Sequence, residues 1–153
     1  MKKLGLVGYP LGHSFSKKFY LDKFEKEQIT GVNYDLYPTE ELENFQAIYS
    51  ADSDFYGFNV TIPHKRNVMA FLQELSPEAE EIKAVNCVRI ERRDGKAFLK
   101  GFNTDAFGFE QSLKPLLTPE HNKALVFGNG GAAQAVYYSL KKLNIPYKIV
   151  SRS

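Results

Sequence analysis

Hydrophobic and polar positions repeat at two different periods through the N-terminal part of the chain. Three short apolar runs rich in β-branched residues predict strands, and they cover residues 4–7, 32–37 and 57–62. Apolar residues at helical spacing predict helices over residues 14–28, 39–49 and 64–72, with another from residue 76. Residues 86–91 and 97–102 alternate like two more strands, joined by Asp94-Gly95 as a hairpin turn. This β-α-β-α-β pattern with a terminal hairpin predicts a mixed, mostly parallel sheet covered by helices.

A different pattern begins after Asn103. Thr104 and Asp105 are expected to cap a helix that runs to about Leu117. A strand, a glycine-rich turn, a helix and a second strand follow, over residues 123–127, 128–133, 134–143 and 147–150. This is the opening of a Rossmann-type fold, which needs further parallel strands, so the sequence predicts an interrupted second domain. We expect one domain over residues 1–103, then a connector helix and the first β-α-β unit of a nucleotide-binding domain over residues 104–153.

The composition narrows the class of protein. With 43% hydrophobic residues the 153-residue chain can form a core, and its net charge of +2 is too small to favour nucleic acid. No apolar run approaches the length of a membrane span. A single cysteine, Cys87, excludes an intrachain disulfide and fits a reducing compartment. We expect a soluble cytoplasmic α/β protein that binds neither nucleic acid nor membrane.

The most informative segment is GFNVTIPHK, residues 57–65. It reads as a buried strand that ends in a polar cluster, with Pro63 at the start of the next helix. Thr61 and Lys65 then lie at the carboxyl end of a strand, where open α/β sheets bind ligands. A lysine and an aspartate that meet in a cleft can hold a hydroxyl and transfer its proton, so Lys65 and Asp105 are candidate catalytic residues. Asp105 as a plain helix cap and Lys65 as an exposed helix residue are the alternatives, and spacing alone favours the latter.

Other polar residues precede or follow predicted strands. Ser14 and Ser16 lie in the loop after the first strand, where two hydroxyls at a helix start can bind a carboxylate. Taken alone, this pair is more simply explained by Ser14 capping the helix and Ser16 being exposed. Asn86 can orient a hydroxyl or satisfy backbone groups. His13 and His64 lie near these loops, but no third ligand has suitable spacing, so we predict no metal site.

The glycine-rich turn matches G-x-G-x-x-A between a predicted strand and helix, which is the context that the motif requires. Its backbone is expected to bind a pyrophosphate through Gly128, Asn129, Gly130, Gly131, Ala132 and Ala133. A tight turn without a ligand is the alternative. The next strand ends in Ser151, Arg152 and Ser153, and an arginine flanked by hydroxyls suits the 2′-phosphate of NADP. A solvated arginine is the alternative there.

Four segments together resemble the shikimate dehydrogenase family, in the same order over essentially the whole chain. They are HSFS at residues 13–16, GFNVTIPHK at 57–65, GFNTDAFG at 101–108 and the turn at 128–133. The resemblance implies an NADP-dependent oxidoreductase that interconverts 3-dehydroshikimate and shikimate in aromatic amino-acid biosynthesis. It also implies roles for individual residues. Ser14 and Ser16 would hold the shikimate carboxylate, and Thr61, Asn86 and Asp105 would contact the ring hydroxyls. Lys65 would carry the proton. Residues 128–133 would hold the pyrophosphate, and residues 151–153 the 2′-phosphate.

The chain departs from the family at several points. It has Lys17 where proline is frequent, Lys83 where glycine is usual and Cys87 where threonine is common. In the family a carboxyl-terminal part completes the nucleotide domain, so we expect this chain by itself to be inactive. A quinate/shikimate dehydrogenase of catabolic type, a non-catalytic ligand sensor and an unrelated α/β domain are the alternatives, and a homodimer through the first domain is left open.

Overall fold

The computed structural model describes residues 1–152, with only the backbone of residue 48. Its strands are β1 Lys2–Gly8, β2 Val32–Pro38, β3 Phe55–Val60, β4 Glu74–Leu75, β5 Cys87–Arg93, β6 Lys96–Phe102, β7 Ala124–Phe127 and β8 Tyr147–Val150. Its helices are α1 Ser16–Lys26, α2 Leu42–Ala51, α3 Pro77–Ile82, α4 Asp105–Leu113 and α5 Gly131–Lys142, with 3-10 helices at Asn67–Phe71 and Lys114–Leu116. The predicted mixed α/β fold is confirmed.

Strands β1 to β6 form one sheet in the order β2-β1-β3-β5-β6-β4. β1 is parallel to both β2 and β3, whereas β5 is antiparallel to β3 and β6. The chain leaves β1 for β2 on one side and returns to β3 on the other side. Because such crossovers are right-handed, α1 and α2 lie on opposite faces of the sheet.

Each face of this sheet has its own apolar cluster. On the α1 face the Tyr20 ring stacks on Tyr34, with 4.3 Å between the ring centroids. On the other face Phe45 of α2 contacts Phe55 and Phe58 edge to face, at 5.9 and 4.7 Å. These aromatic contacts fix the two helices that carry the loops at the carboxyl edge of the sheet.

Strands β7 and β8 form a separate parallel pair. Helix α5 covers one face of this pair, where the rings of Tyr137 and Tyr147 stack at 5.2 Å. We call the other face the open face, and it presents Leu125, Phe127 and Val150, of which Phe127 is 77% exposed. Within residues 1–152, no helix has the length and apolar character needed to cross a membrane.

Several local predictions were wrong for physical reasons. Residues 61–66 form a turn rather than a helix start, so Pro63 opens no helix and only the 3-10 helix at Asn67–Phe71 follows. Helix α1 begins at Ser16, with Phe15 rather than Ser14 at the cap position. Helix α4 ends earlier than predicted because Pro115 has no N–H to continue the α-helical hydrogen bonding. Strand β4 has only two residues, too few to show a period.

Candidate active site

The predicted catalytic and substrate-binding residues lie at one edge of the six-stranded sheet. β1 and β3 are parallel, so they end at the same edge. β5 runs the opposite way and therefore begins there, and β6 returns to it. The loops after β1, β3 and β6 and the start of β5 consequently meet. The edge includes the point where the strand order reverses around β1, which is where ligands bind open α/β sheets.

Lys65 and Asp105 form an ion pair at this edge, with 2.6 Å between Lys65 Nζ and Asp105 Oδ2. Their side chains are 14% and 32% exposed, so the lysine is largely enclosed and the carboxylate is accessible from the cleft. The Lys65 carbonyl accepts a hydrogen bond from Val85 N at 2.7 Å, which fixes the backbone beneath the ammonium group. Lys65 is therefore not an exposed helix residue.

Asn86 connects this pair to the sheet. Its buried amide donates from Nδ2 to Asp105 Oδ1 at 2.7 Å, and its Oδ1 accepts from Thr104 N at 2.8 Å. Asn86 thus orients the carboxylate that holds Lys65. The amide O and N positions follow from this hydrogen-bond pattern.

The side chain of Asn103 makes the capping hydrogen bond of α4, although the capping residues were predicted to be Thr104 and Asp105. The Asn103 Oδ1 accepts from Ala106 N at 3.2 Å, and its Nδ2 donates to Ala84 O at 2.9 Å. Thr104 occupies the cap position, but its side chain makes no capping hydrogen bond and turns to Asn86 instead. Asparagine caps as well as threonine, so residue type alone could not separate these neighbours.

His64 anchors the turn that carries Lys65. The buried imidazole places Nε2 2.7 Å from the carbonyl oxygen of Thr39, and His64 N donates to Thr61 O at 2.9 Å. The ring therefore ties the loop after β3 to the loop after β2. Among the residues that the structure describes, no group of three or more His, Cys, Asp and Glu side chains is arranged to hold a metal ion.

Ser14 and Ser16 lie between the end of β1 and the start of α1, at the same edge of the sheet. Ser16 N donates to Ser14 Oγ at 3.3 Å, so the two hydroxyls share one short turn. Burial raises the pKa of the Tyr34 hydroxyl, and a hydrogen bond from Ser16 opposes that rise. Tyr34 in turn donates to Asn59 Oδ1 at 2.9 Å, and Asn59 Nδ2 donates to the carbonyl of Asn86 at 3.4 Å.

Polar contacts thus lead from Tyr34 through Asn59 to Asn86, whose side chain holds Asp105. Sequence reasoning did not single out Tyr34 or Asn59. Asn59 lies inside the segment at residues 57–65, where an amide between apolar strand residues was an available signal. Tyr34 has the pattern of a core residue, and its hydrogen-bond partner, Asn59, lies on another strand.

The structure shows the surroundings of the three residues that differ from the family pattern. Lys17 pairs with Asp35 at 2.7 Å, and this hydrogen bond holds the pKa of Asp35 below its usual range. Lys83 ends α3 in the left-handed region, with φ of 58°, which explains why glycine suits the position. Burial raises the pKa of the Cys87 thiol, which keeps it protonated and unreactive.

The glycine-rich turn lies between β7 and α5. Gly128 has φ of 104°, a conformation that favours glycine, and its N–H donates to Val150 O at 2.8 Å. Tyr137 donates its hydroxyl proton to the Gly128 carbonyl. The turn thus contacts the end of β8, after which Ser151 and Arg152 are exposed. Ser153 lies outside the described residues.

The turn has the space that a pyrophosphate needs. A Cβ added at Gly128 or Gly130 would meet no atom within 4 Å, so the backbone there can be approached closely. Helix α5 begins at Gly131, and the N–H groups of a first helical turn have no intrahelical acceptor. The residues present therefore fit a dinucleotide phosphate. Gly131 differs, because a Cβ there would lie 2.8 Å from Lys65 Cβ.

Comparison with known proteins finds relatives along most of the chain. Residues 6–88 match the family model of the shikimate dehydrogenase substrate binding domain. A shikimate dehydrogenase (NADP(+)) of Caldicellulosiruptor bescii is 40% identical over 147 residues, which cover 94% of this chain and 49% of that protein. A relative with the same name from Caldanaerobacter subterraneus subsp. tengcongensis is 40% identical over 153 aligned residues, covering 98% of this chain and 52% of its own length.

Solved structures show the same likeness. Shikimate 5-dehydrogenase of Thermus thermophilus, in complex with NADP(H) and shikimate, matches with a TM-score of 0.84 and 33% identity. The match covers 100% of this chain and 57% of that one. The chain spans about half the length of the relatives that it matches.

Proposed function

Because the chain belongs to the shikimate dehydrogenase family, we propose that it provides the substrate site and the start of the cofactor site of an NADP-dependent oxidoreductase that interconverts 3-dehydroshikimate and shikimate. The observation that carries this proposal is the Lys65–Asp105 ion pair at the carboxyl edge of the sheet, oriented by Asn86. The names of the relatives support the reaction and the cofactor.

The proposed chemistry needs one hydride and one proton. When bound, NADPH supplies the hydride for the reduction, and NADP⁺ accepts it in the oxidation. In the reduction, the Lys65 ammonium donates a proton from Nζ to the oxygen that was the carbonyl, and in the oxidation Nζ takes the proton back. Asp105 holds Nζ at a defined position, and it contacts a neighbouring ring hydroxyl through its accessible edge.

The remaining polar groups orient the ring. We assign Ser14 and Ser16 to the carboxylate, since their hydroxyls lie together at the start of α1. We assign Thr61 and Asn86 to ring hydroxyls beside Asp105. Holding the ring at several points reduces the freedom that the reacting groups must lose, which is how positioning accelerates the reaction.

Residues around the glycine-rich turn would hold the cofactor. The pyrophosphate is assigned to the backbone of residues 128–133, where the open space over Gly128 and Gly130 supports the choice. The 2′-phosphate is assigned to Ser151, Arg152 and Ser153. The hydrogen bond between Gly128 and Val150 brings the start of this segment to the turn.

The remaining predictions concern the domain bounds, the cellular location, the oligomeric state and the choice of substrate. We propose a substrate-binding domain over residues 1–103 and a connector plus the start of the NADP domain over residues 104–153, which the separation into two sheets supports. A cytoplasmic location and a homodimer stay predictions. Quinate in place of shikimate is the second candidate substrate, because the carboxylate and hydroxyl contacts would serve both acids.

Shikimate binding to the 153-residue chain tests the substrate site. We expect saturable binding by isothermal titration calorimetry, weakened in Lys65→Met and unchanged in Lys123→Met, an exposed lysine near the second sheet. Equal binding by the two variants, or tighter binding of quinate by the parent chain, would contradict the assignment to shikimate.

Turnover tests the chemistry. The chain alone is expected to show little NADP⁺ reduction with shikimate, whereas a fusion to the carboxyl-terminal half of the Caldicellulosiruptor bescii relative should be active. In that fusion Lys65→Met should lower kcat by about 10²- to 10⁴-fold, the usual contribution of a general acid–base group. An active fusion that tolerates Lys65→Met would remove Lys65 from the catalytic role.

A further inference from the structure

We infer that Gly131 is a positioning residue for Lys65, so that the glycine-rich turn fixes the proposed proton carrier in addition to any contact with the cofactor. The inference rests on the proposed function of Lys65. Its basis is steric, because a Cβ at residue 131 would lie only 2.8 Å from Lys65 Cβ. The same Cβ would be in van der Waals contact with Lys65 Cγ and Cδ, at 3.6 and 3.5 Å. The aliphatic stem of the lysine therefore crosses the start of α5.

Lys65 cannot yield to such a Cβ by changing a rotamer. The nearest atom is its own Cβ, which moves only with the backbone. That backbone is held by the hydrogen bond from Val85 N to Lys65 O at 2.7 Å. The far end is held too, by Asp105 at 2.6 Å. An added methyl group at residue 131 must therefore displace either the Lys65 turn or helix α5.

Helix α5 is also constrained. Ser139 is fully buried, and its Oγ donates to Ala106 O on α4 at 3.0 Å. Lys142 of α5 reaches Glu110 of α4 at 2.9 Å. Because α4 begins with Asp105, a displaced α5 pulls on the helix that carries the partner of Lys65. Either displacement changes the geometry of the Lys65–Asp105 pair.

The three glycines of the turn differ in backbone conformation and in the space around them. Gly128 has a left-handed φ, and Gly130 has ordinary extended backbone with open space around it. Gly131 is the one whose missing Cβ makes room for Lys65. Gly108→Ala on α4 is the matched control for Gly131→Ala: each adds one methyl group to a helical glycine, and a Cβ at Gly108 would meet no atom within 4 Å.

The test uses the full 153-residue chain labelled with ¹⁵N. The side-chain ammonium signal of Lys65 is assigned by its loss in Lys65→Met and then followed in both alanine variants, together with shikimate affinity. In Gly131→Ala the signal should move or broaden, and the affinity should fall about tenfold, because the displaced Lys65–Asp105 pair no longer matches the substrate groups assigned to it. In Gly108→Ala the signal should stay at its parental position and the affinity within about twofold of the parent chain.

The outcomes separate this inference from the proposed function. An unchanged Lys65 signal and affinity in Gly131→Ala would overturn the positioning role while leaving the function intact. A parent chain that binds no shikimate would contradict the function, and the ammonium signal would still decide the positioning role. Alanine favours helices more than glycine, so α5 should form in Gly131→Ala. If that variant fails to fold, Lys65→Gly is added to remove the Cβ that the new methyl group would meet. Recovered folding of the double variant would support the steric contact. A double variant that still fails to fold, while Lys65→Gly alone folds, would overturn the inference.

Discussion

The six-stranded sheet and the β7–β8 pair differ in how completely they are covered. The larger sheet buries Phe58 on the face that α2 covers and Tyr34 on the face that α1 covers. The β7–β8 pair is covered by α5 on one face and exposes Leu125 and Phe127 on the other. Parallel strands are normally buried on both faces. The substrate half of the proposed site is therefore supported by its own core, whereas the glycine-rich turn is held chiefly through α5.

Truncating a phenylalanine in each region gives the largest expected contrast. Phe45→Ala should lower the free energy of unfolding by about 3–5 kcal/mol, because it leaves a cavity among packed aromatic rings. Phe127→Ala should change it by less than about 0.5 kcal/mol, because that ring is already in solvent. Urea unfolding followed by circular dichroism measures both. Similar losses in the two variants would mean that the open face is packed in solution.

Removing the charge of Glu110 tests the link between the two regions. Glu110 is buried on α4 between Lys114 at 2.5 Å and Lys142 of α5 at 2.9 Å. Glu110→Gln should destabilise the chain, because both lysines lose their anionic partner. The loss of stability should be smaller than in Phe45→Ala. Glu25→Gln on exposed α1 is the control. A Glu110→Gln chain as stable as the control would show that this ion pair network does not join the helices.

The same residue predicts a pH dependence. Hydrogen bonds from Lys114 and then Lys142 hold the pKa of the Glu110 carboxyl below its usual range. A carboxyl whose pKa is lower in the folded state stabilises the protein above its unfolded pKa and loses that effect as pH falls through the folded value. The difference in stability between the parent and Glu110→Gln should therefore shrink below about pH 4. A difference that is constant from pH 7 to pH 3 would exclude this linkage.

Lys83→Gly should have the smallest effect and the opposite sign. Lys83 ends α3 with φ of 58°, just before the segment that carries Asn86. Glycine adopts this conformation without the steric cost of a Cβ, so stability should rise by about 0.5–1 kcal/mol. Lys83→Ala keeps the Cβ and should show no such gain. Equal stability of the two variants would mean that backbone conformation does not limit the stability of this junction.

Sequence patterns predicted every strand of the described residues except β4, and they placed Thr61 and Lys65 at the carboxyl end of a strand. The alternation of apolar and polar residues and the Asp94-Gly95 pair predicted β5, β6 and the turn between them. Both turn residues have positive φ, as this type of hairpin requires. The order of the strands in the sheet was not predicted, so the sequence did not show that the loops that carry Thr61 and Asn86 lie at one edge.

Contacts between distant segments could not be predicted from local pattern. Residues 64–72 have helical spacing, but His64 bonds to the carbonyl of Thr39 and holds a turn instead. The hydrogen bond between Tyr34 and Asn59 crosses the sheet, from an edge strand past β1 to β3. The approach of Gly131 to Lys65 depends on the packing of α5, which no single window of sequence contains.

The open face also affects how the chain behaves at high concentration. Its apolar side chains are offset by a net charge of only +2 at pH 7, and the isoelectric point is near 8.5. Electrostatic repulsion between molecules therefore weakens as the buffer becomes mildly alkaline, while the attraction between exposed Leu125 and Phe127 side chains persists. The chain should consequently stay soluble to higher concentration on the acidic side of neutrality, where repulsion between molecules is stronger.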